Sequence, residues 1–415
     1  MTGPLTRPFR DRRFRRLVWV IVAVVGWVGL VALGAALLAE TPPKAGFDLG
    51  LVLDAGRRVA AGLSPYAPGA VTSATQAEDL FFSYPPPIAQ VASLFGGLSI
   101  GVALALSAIG ATAGLGVVAA GLAGGWRRSG AVDVVLPTLA LAPYVYPFAV
   151  ALLFGNVDAW FPLVYGAVLV ALVRGRGGGR WAILAGIALG LATLAKLYPG
   201  VLLGWLAIRG LRTWLADRYA TRRPLPREWG VLVVAVVTLA VVAGVSVAVY
   251  GPGPWEDYAA VLRSGVSAQL AGALNIGLSS QLALLAGAPS VAAQLAPVVG
   301  AGVLLTIPLD GWFVRRTSLS LALAAVASLL VSPITWFHYP VALLPFAVAA
   351  WVGARGTGSL RSAGVGGSMA VPVAGLLLAA VVVAGASIVL PVAVWIAVVL
   401  VLAALAISPD VELSR

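Results

Sequence analysis

The chain contains no cysteine, which excludes disulfides, thiolate catalysis and cysteine-ligated metals. Charge is also scarce. Only 10% of the 415 residues are Asp, Glu, Lys or Arg, where a soluble domain carries roughly 25%, so most of the chain has no water-facing surface to cover. Acidic residues are the rarer sign, 15 against 27 basic. No Asp-x-Asp pair is present to hold a nucleotide-bound metal, and neither internal repeats nor heptads are found. The glycine-rich stretch from Arg174 to Arg180 follows no strand pattern and precedes no Gly-Lys-Ser/Thr, so it reads as a loop rather than a phosphate cradle.

What fills the chain instead is apolar. It is 60% hydrophobic, with a mean hydropathy of +1.00. Apolar runs of about 17–25 residues recur from one end to the other, each long enough to cross ~30 Å of hydrocarbon. The expectation is an all-α, polytopic integral membrane protein with about 12 transmembrane helices, forming one membrane domain over residues 1–415.

A net charge of +12 would suggest nucleic acid in a soluble protein, but the placement of the charges argues otherwise. Arginines cluster between apolar runs: Arg7 to Arg16, Arg127 and Arg128, Arg174 to Arg180, a basic loop over 209–228, and Arg315 with Arg316. Clusters in alternate loops mark the cytoplasmic side. Of the 27 basic residues, only Lys44, Arg57, Arg58, Lys196 and Arg263 fall on the other side. Both termini are then expected in the cytoplasm of a cell-membrane protein. The Arg-rich start followed by Leu17 to Leu38 resembles a signal peptide, but its apolar core is too long, and an uncleaved first helix is expected.

Two long segments, about 40–98 and 251–289, are expected outside. Within the first, Pro85-Pro86-Pro87 cannot lie in a helix interior, so the short apolar stretch after it is expected to be re-entrant or interfacial. Further outside turns fall at Gly155-Asn156, at Lys196 to Pro199 and at Ser332 to Pro340. Polar groups near a bilayer are costly, yet these turns collect Asp48, Asp54, Glu78, Asp79, Tyr84, Asn156, Asp158, Lys196, Asn275, Gln281, Trp336 and the single histidine, His338. Groups far apart in sequence but on one face can converge on one site.

Several of these turns resemble those of one family. Phe47-Asp48-Leu49 with Gly62-Leu63-Ser64-Pro65-Tyr66, and Ser83-Tyr84-Pro85-Pro86-Pro87, are similar to its first outer loop. Phe154-Gly155-Asn156-Val157-Asp158 resembles its Gly-Gln-x-Asn turn, and Ala195-Lys196-Leu197-Tyr198-Pro199 its Lys-Leu-x-Pro turn. The block from Ser332 to Pro340 resembles Ser-Pro-x-Ser-Trp-x-His-His. The family is that of polyprenol-phosphate-mannose-dependent mannosyltransferases, glycosyltransferase family 87, and the resemblance spans roughly residues 17–350. The sequence departs from the family where Asn-x-Asp replaces Gln-x-Asn, where Tyr339 replaces the second histidine, and in the segment after Asn275.

The resemblance implies a C-type membrane glycosyltransferase fold and a sugar, mannose by family default, carried on a polyprenyl phosphate. The acceptor would be a glycolipid or glycan of the cell envelope. An outward-facing site fits a lipid-carried donor, because nucleotide sugars are made in the cytosol. Asp48 stands where the family has its general base, with Asp54 as the fallback. Lys196 and His338 are the expected contacts to the donor phosphate. Tyr84, Asn156, Asp158, Asn275, Gln281 and Trp336 complete the expected substrate-binding set. No cofactor is required; Glu78-Asp79 and Glu256-Asp257 are the pairs that could hold a divalent metal.

Each of these residues also has a purely structural reading. Asp48 can cap the helix that begins near Leu49, Lys196 can snorkel to the surface, and Arg57 and Arg58 can meet lipid headgroups. Two other functions stay open at this point. One is an arabinofuranosyltransferase using an analogous donor. The other is a transporter or flippase, which calls for ionisable residues at mid-membrane; Asp133 and Asp310 are the nearest, and both lie close to inner helix ends.

Overall fold

The structure, a computed structural model, describes residues 12–68, 82–125, 130–173, 179–216, 225–269, 275–277, 280, 289–310, 316–332, 334–356 and 389–407. Every regular element among them is helical, α or 3-10; the one strand-type pairing is an isolated antiparallel bridge between Asn275 and Trp336.

Helix α1 (Arg12–Leu38) buries only Gly26 and Gly34, while Val20, Val24, Val28 and Val31 stand exposed. A surface of that kind is stable against hydrocarbon rather than water. Its inner flank is tied to α5 (Val132–Leu141): Trp27 Nε1 donates to the Leu139 carbonyl at 3.0 Å, and Arg12 and Arg16 grip Asp133 at 2.6 and 2.9 Å. Asp133 is therefore neutralised at a helix end, not offered at mid-span.

Together with α4 (Ile100–Leu122) and α10 (Arg227–Tyr250), α1 is long and apolar enough to cross a membrane. A fourth crossing is made if α5 and α6 (Tyr146–Phe154) count as one broken span. They bend by 70° where Pro143 and Pro147 remove backbone donors. Other apolar runs form shorter helices: α7 (Phe161–Val173), α8 (Gly179–Ala195) and α13 (Thr317–Val331), of 13, 17 and 15 residues. At 1.5 Å per residue even 17 residues reach only ~25 Å, short of the ~30 Å of a hydrocarbon core.

The centre is held by α7, α8, α9 (Val201–Ala216), α10 and α13, around buried Tyr165, Leu169, Trp205 and Phe346. The α8–α10 contact is an intimate one. Gly186 and Gly190 lie four apart on one face, and a Cβ at either would meet the α10 backbone: Val231 O at 2.8 Å and Ala235 O at 2.7 Å. This is the small-xxx-small packing that lets membrane helices approach without a hydrophobic driving force.

At one end of the bundle, α2 (Phe47–Ala60), α3 (Pro86–Ala92) and α11 (Gly253–Gln269) form a short layer around Tyr66, Phe82, Tyr84 and Tyr258. The three prolines occupy the entry and first turn of α3, where a missing N–H costs nothing. Ser64 Oγ donates to Asp257 Oδ2 at 2.6 Å, fastening the layer to itself. At the opposite end, buried Arg209 pairs with Glu228 at 3.0 Å and donates to Thr317 Oγ1 at 2.8 Å, linking α9, α10 and α13. Helices α12 (Pro289–Thr306), α14 (Leu344–Gly356) and α15 (Val389–Ile407) are the remaining helices named among the described residues.

Candidate functional site

Four turns bring their polar groups to one place beneath the α2–α3–α11 layer. Asp48 lies in the first turn of α2. Asn156 follows Gly155, whose φ of 67° ends α6; a Cβ there would meet Leu49 at 2.6 Å, so only glycine lets α2 lie on this turn. Asn156 then caps a 3-10 turn, Val157–Trp160, its Oδ1 accepting from the Asp158 amide at 2.9 Å. Lys196 comes immediately after α8, and Tyr198-Pro199 opens a 3-10 turn. His338 precedes another such turn, Tyr339–Leu343, with Pro340 in its second position.

These groups form one connected network. Asn156 Nδ2 donates to Asp48 Oδ2 at 2.7 Å. Lys196 Nζ donates to Asp158 Oδ2 at 2.7 Å and to Asn156 Oδ1 at 3.3 Å. Tyr198 OH donates to Asp158 Oδ1 at 3.3 Å. His338 Nε2 lies 3.1 Å from Asp158 Oδ2, but off the line of a well-formed hydrogen bond, and both ring nitrogens are buried without another partner among the described residues. Lys196 Nζ also stands 4.1 Å from the centroid of the Tyr339 ring, which stacks on Tyr198.

The two carboxylates differ in access. Asp158 is fully buried and surrounded by donors. Asp48 is half-buried, and only its Oδ2 is bonded to a side chain among the described residues. Tyr84 packs beside them; burial, reinforced by the Asp48 and Asp158 carboxylates, holds its phenol well above the ordinary tyrosine value and keeps it a neutral donor.

The structure thus gathers Asp48, Tyr84, Asn156, Asp158, Lys196 and His338. Asn275 reaches the same turn in another way. Its Oδ1 accepts from the Thr335 and Gly277 amides, both at 2.9 Å, and it bridges to Trp336. Asp54 is not part of the cluster: it is exposed and paired with Arg57 on the outer side of α2. Gln281, Glu78 and Asp79 lie outside the described residues, as does most of 270–288. No group of three or more Asp, Glu or His that could hold a metal ion occurs among the described residues, and Asp257 is engaged by Ser64.

Two participants were not singled out from sequence, Tyr198 and Tyr339. A signal was present. Tyr-Pro occurs at 84, 146, 198 and 339, and all but the pair at 146 open onto the network. At 198 and 339 the tyrosine itself opens a 3-10 turn with proline second, and at 84 it stands just before the proline that caps α3.

Beside the network is an apolar cavity of about 700 Å³. Its lining includes Leu49, Val157 and Ala195, the neighbours in sequence of Asp48, of Asn156 and Asp158, and of Lys196. Farther off it is walled by Phe95, Trp160 and Leu191. The charged cluster and the hydrocarbon-lined space are therefore connected through adjacent residues of three turns.

Such features define a helical membrane protein with a charge-paired site at one end of its bundle and an apolar cavity beside it. The sequence model of glycosyltransferase family 87 matches residues 81–333, more than half of the chain. The chain belongs to that family and is a membrane glycosyltransferase. No curated protein and no solved structure matches it.

Proposed function

We propose that this enzyme transfers a sugar, mannose in the first instance, from a polyprenyl phosphate to a glycolipid or glycan acceptor on the extracytoplasmic face of the cell membrane. The observation that carries the reading is the junction of the Asp48–Asn156–Lys196–Asp158 network with the apolar cavity. A polyprenyl-linked donor has the same two parts, an anionic phosphate and a hydrocarbon tail. The topology that goes with this function has about 12 spans, both termini inside, and the site at the end opposite the arginine loops.

In the proposed reaction Asp48 accepts the proton of the acceptor hydroxyl through its unbonded oxygen. The acceptor oxygen attacks the anomeric carbon from the face opposite the phosphate. The bond from that carbon to the phosphate oxygen breaks, its electron pair staying on the oxygen, so the products are an inverted glycoside and a polyprenyl phosphate. Lys196 and His338 meet the charge that develops on the phosphate. Asn156 orients Asp48 from one end of its amide and Lys196 from the other, so base and phosphate cation are fixed relative to each other.

The purified protein, incubated with labelled polyprenyl-phosphate sugars and cell-envelope acceptors, is expected to form a labelled glycoside from polyprenyl-phosphate mannose. Turnover of the arabinofuranosyl donor alone would change the sugar and keep the mechanism. Movement of intact donor across a vesicle membrane without transfer would replace the enzyme reading with a flippase.

A further inference from the structure

Asp158 has no part in the reaction as written, yet it is the most completely buried charge of the site. Its Oδ2 is shared by Lys196 at 2.7 Å and His338 at 3.1 Å, and its Oδ1 accepts from Tyr198. It occupies the position a phosphate oxygen needs in order to meet both the ammonium and the imidazole. Neither imidazole nitrogen makes a well-formed hydrogen bond among the described residues, which leaves the ring able to bond a ligand. Resting on the donor reading above, we infer that Asp158 is a built-in counter-anion: it positions Lys196 and His338 for the donor phosphate and weakens their hold on the spent polyprenyl phosphate so that the product can leave. With Asp158 in place, Lys196 is shared between the carboxylate and the phosphate. Without it, the phosphate takes the full charge.

The test uses the full-length protein in detergent micelles, with undecaprenyl phosphate as the anionic probe and undecaprenol as its neutral control. Asp158→Asn keeps size and one acceptor oxygen but removes the charge. The probe phosphate is expected to bind this variant roughly a hundredfold to a thousandfold tighter, as one unit charge about 4–6 Å away at an effective dielectric constant of about 20 requires. Undecaprenol should bind both proteins alike. In transfer assays the variant should show a burst of one turnover followed by a slow steady state, because product release becomes limiting. Equal or weaker phosphate binding by folded Asp158→Asn overturns the inference, and so does an equal gain for undecaprenol. Should Asp158→Asn fail to fold, Asp158→Ser, which also removes the charge and keeps a hydroxyl within reach of Lys196 and Tyr198, is compared with the wild type, and loss of the carboxylate must again tighten the phosphate. If the wild type binds undecaprenyl phosphate no better than undecaprenol, the donor reading itself falls and takes this inference with it.

Discussion

At the scale of single residues, Asp48 and Asp158 show how two carboxylates in one network take different work. Asp48 keeps an unbonded oxygen and partial access; Asp158 has neither. Asp48→Asn keeps the bond to Asn156 within reach but cannot accept a proton, so transfer should fall by about 10²–10⁴-fold while donor binding persists. Asp54→Asn should transfer near the wild-type rate, since Asp54 faces away beside Arg57. The reverse result would move the base to Asp54. Lysine needs a more careful variant. Lys196→Met alone leaves Asp158 buried and uncompensated, a loss of about 3–5 kcal/mol by itself, and would confuse folding with binding. Comparing Asp158→Asn with Asp158→Asn/Lys196→Met removes the ammonium from a background without its partner. Donor affinity should then fall by about 1.5–3 kcal/mol, the value of a charge-assisted contact, as measured by displacement of bound polyprenyl phosphate.

At the scale of elements, the sequence made the turns legible and left their depth unreadable. Asp48, Asn156, Lys196 and His338 could be grouped because each stands near the end of an apolar run on the side away from the arginine clusters. That Lys196 is bound to Asp158 rather than free depends on α7 and α8 ending at the same level, which hydropathy does not encode. Tyr198 and Tyr339 were missed for a related reason: an aromatic residue at a helix end is expected at any membrane interface, and only the turned-in Tyr-Pro geometry sets these two apart. The α8–α10 contact was legible in principle as Gly186 and Gly190, four residues apart in a run that also reads as uniform apolar helix. Gly186→Leu should force the helices apart and lower the thermal unfolding temperature in detergent, at a cost of about 1–3 kcal/mol or more. The same change at Gly204, where a Cβ meets nothing within 4 Å, should cost little. Equal effects at both positions would show that the close approach is not what those glycines serve.

At the scale of the whole molecule, orientation is the quantity on which the lipid-donor reading depends. Leu63 and Glu256 are exposed in the layer over the site, and Leu225 is exposed at the opposite end. Because the native chain has no cysteine, single cysteines at these positions can be read without background. An impermeant thiol reagent should label Leu63→Cys and Glu256→Cys in intact cells, and Leu225→Cys only after lysis. The opposite pattern would put the site in the cytoplasm, where nucleotide sugars are available, and would remove the reason for a lipid-carried donor.

The span of the site's contacts also has a meaning in time. Lys196 and Asp158 are 38 residues apart, on the tips of successive helical hairpins, so their charges can pair as soon as the second hairpin is in the membrane. His338 belongs to the last quarter of the chain and reaches Asp158 only after α13 has been made. During biosynthesis the carboxylate therefore has its lysine long before its histidine. The early pair spares the membrane an isolated buried charge and leaves a half-built socket on which the later helices can dock.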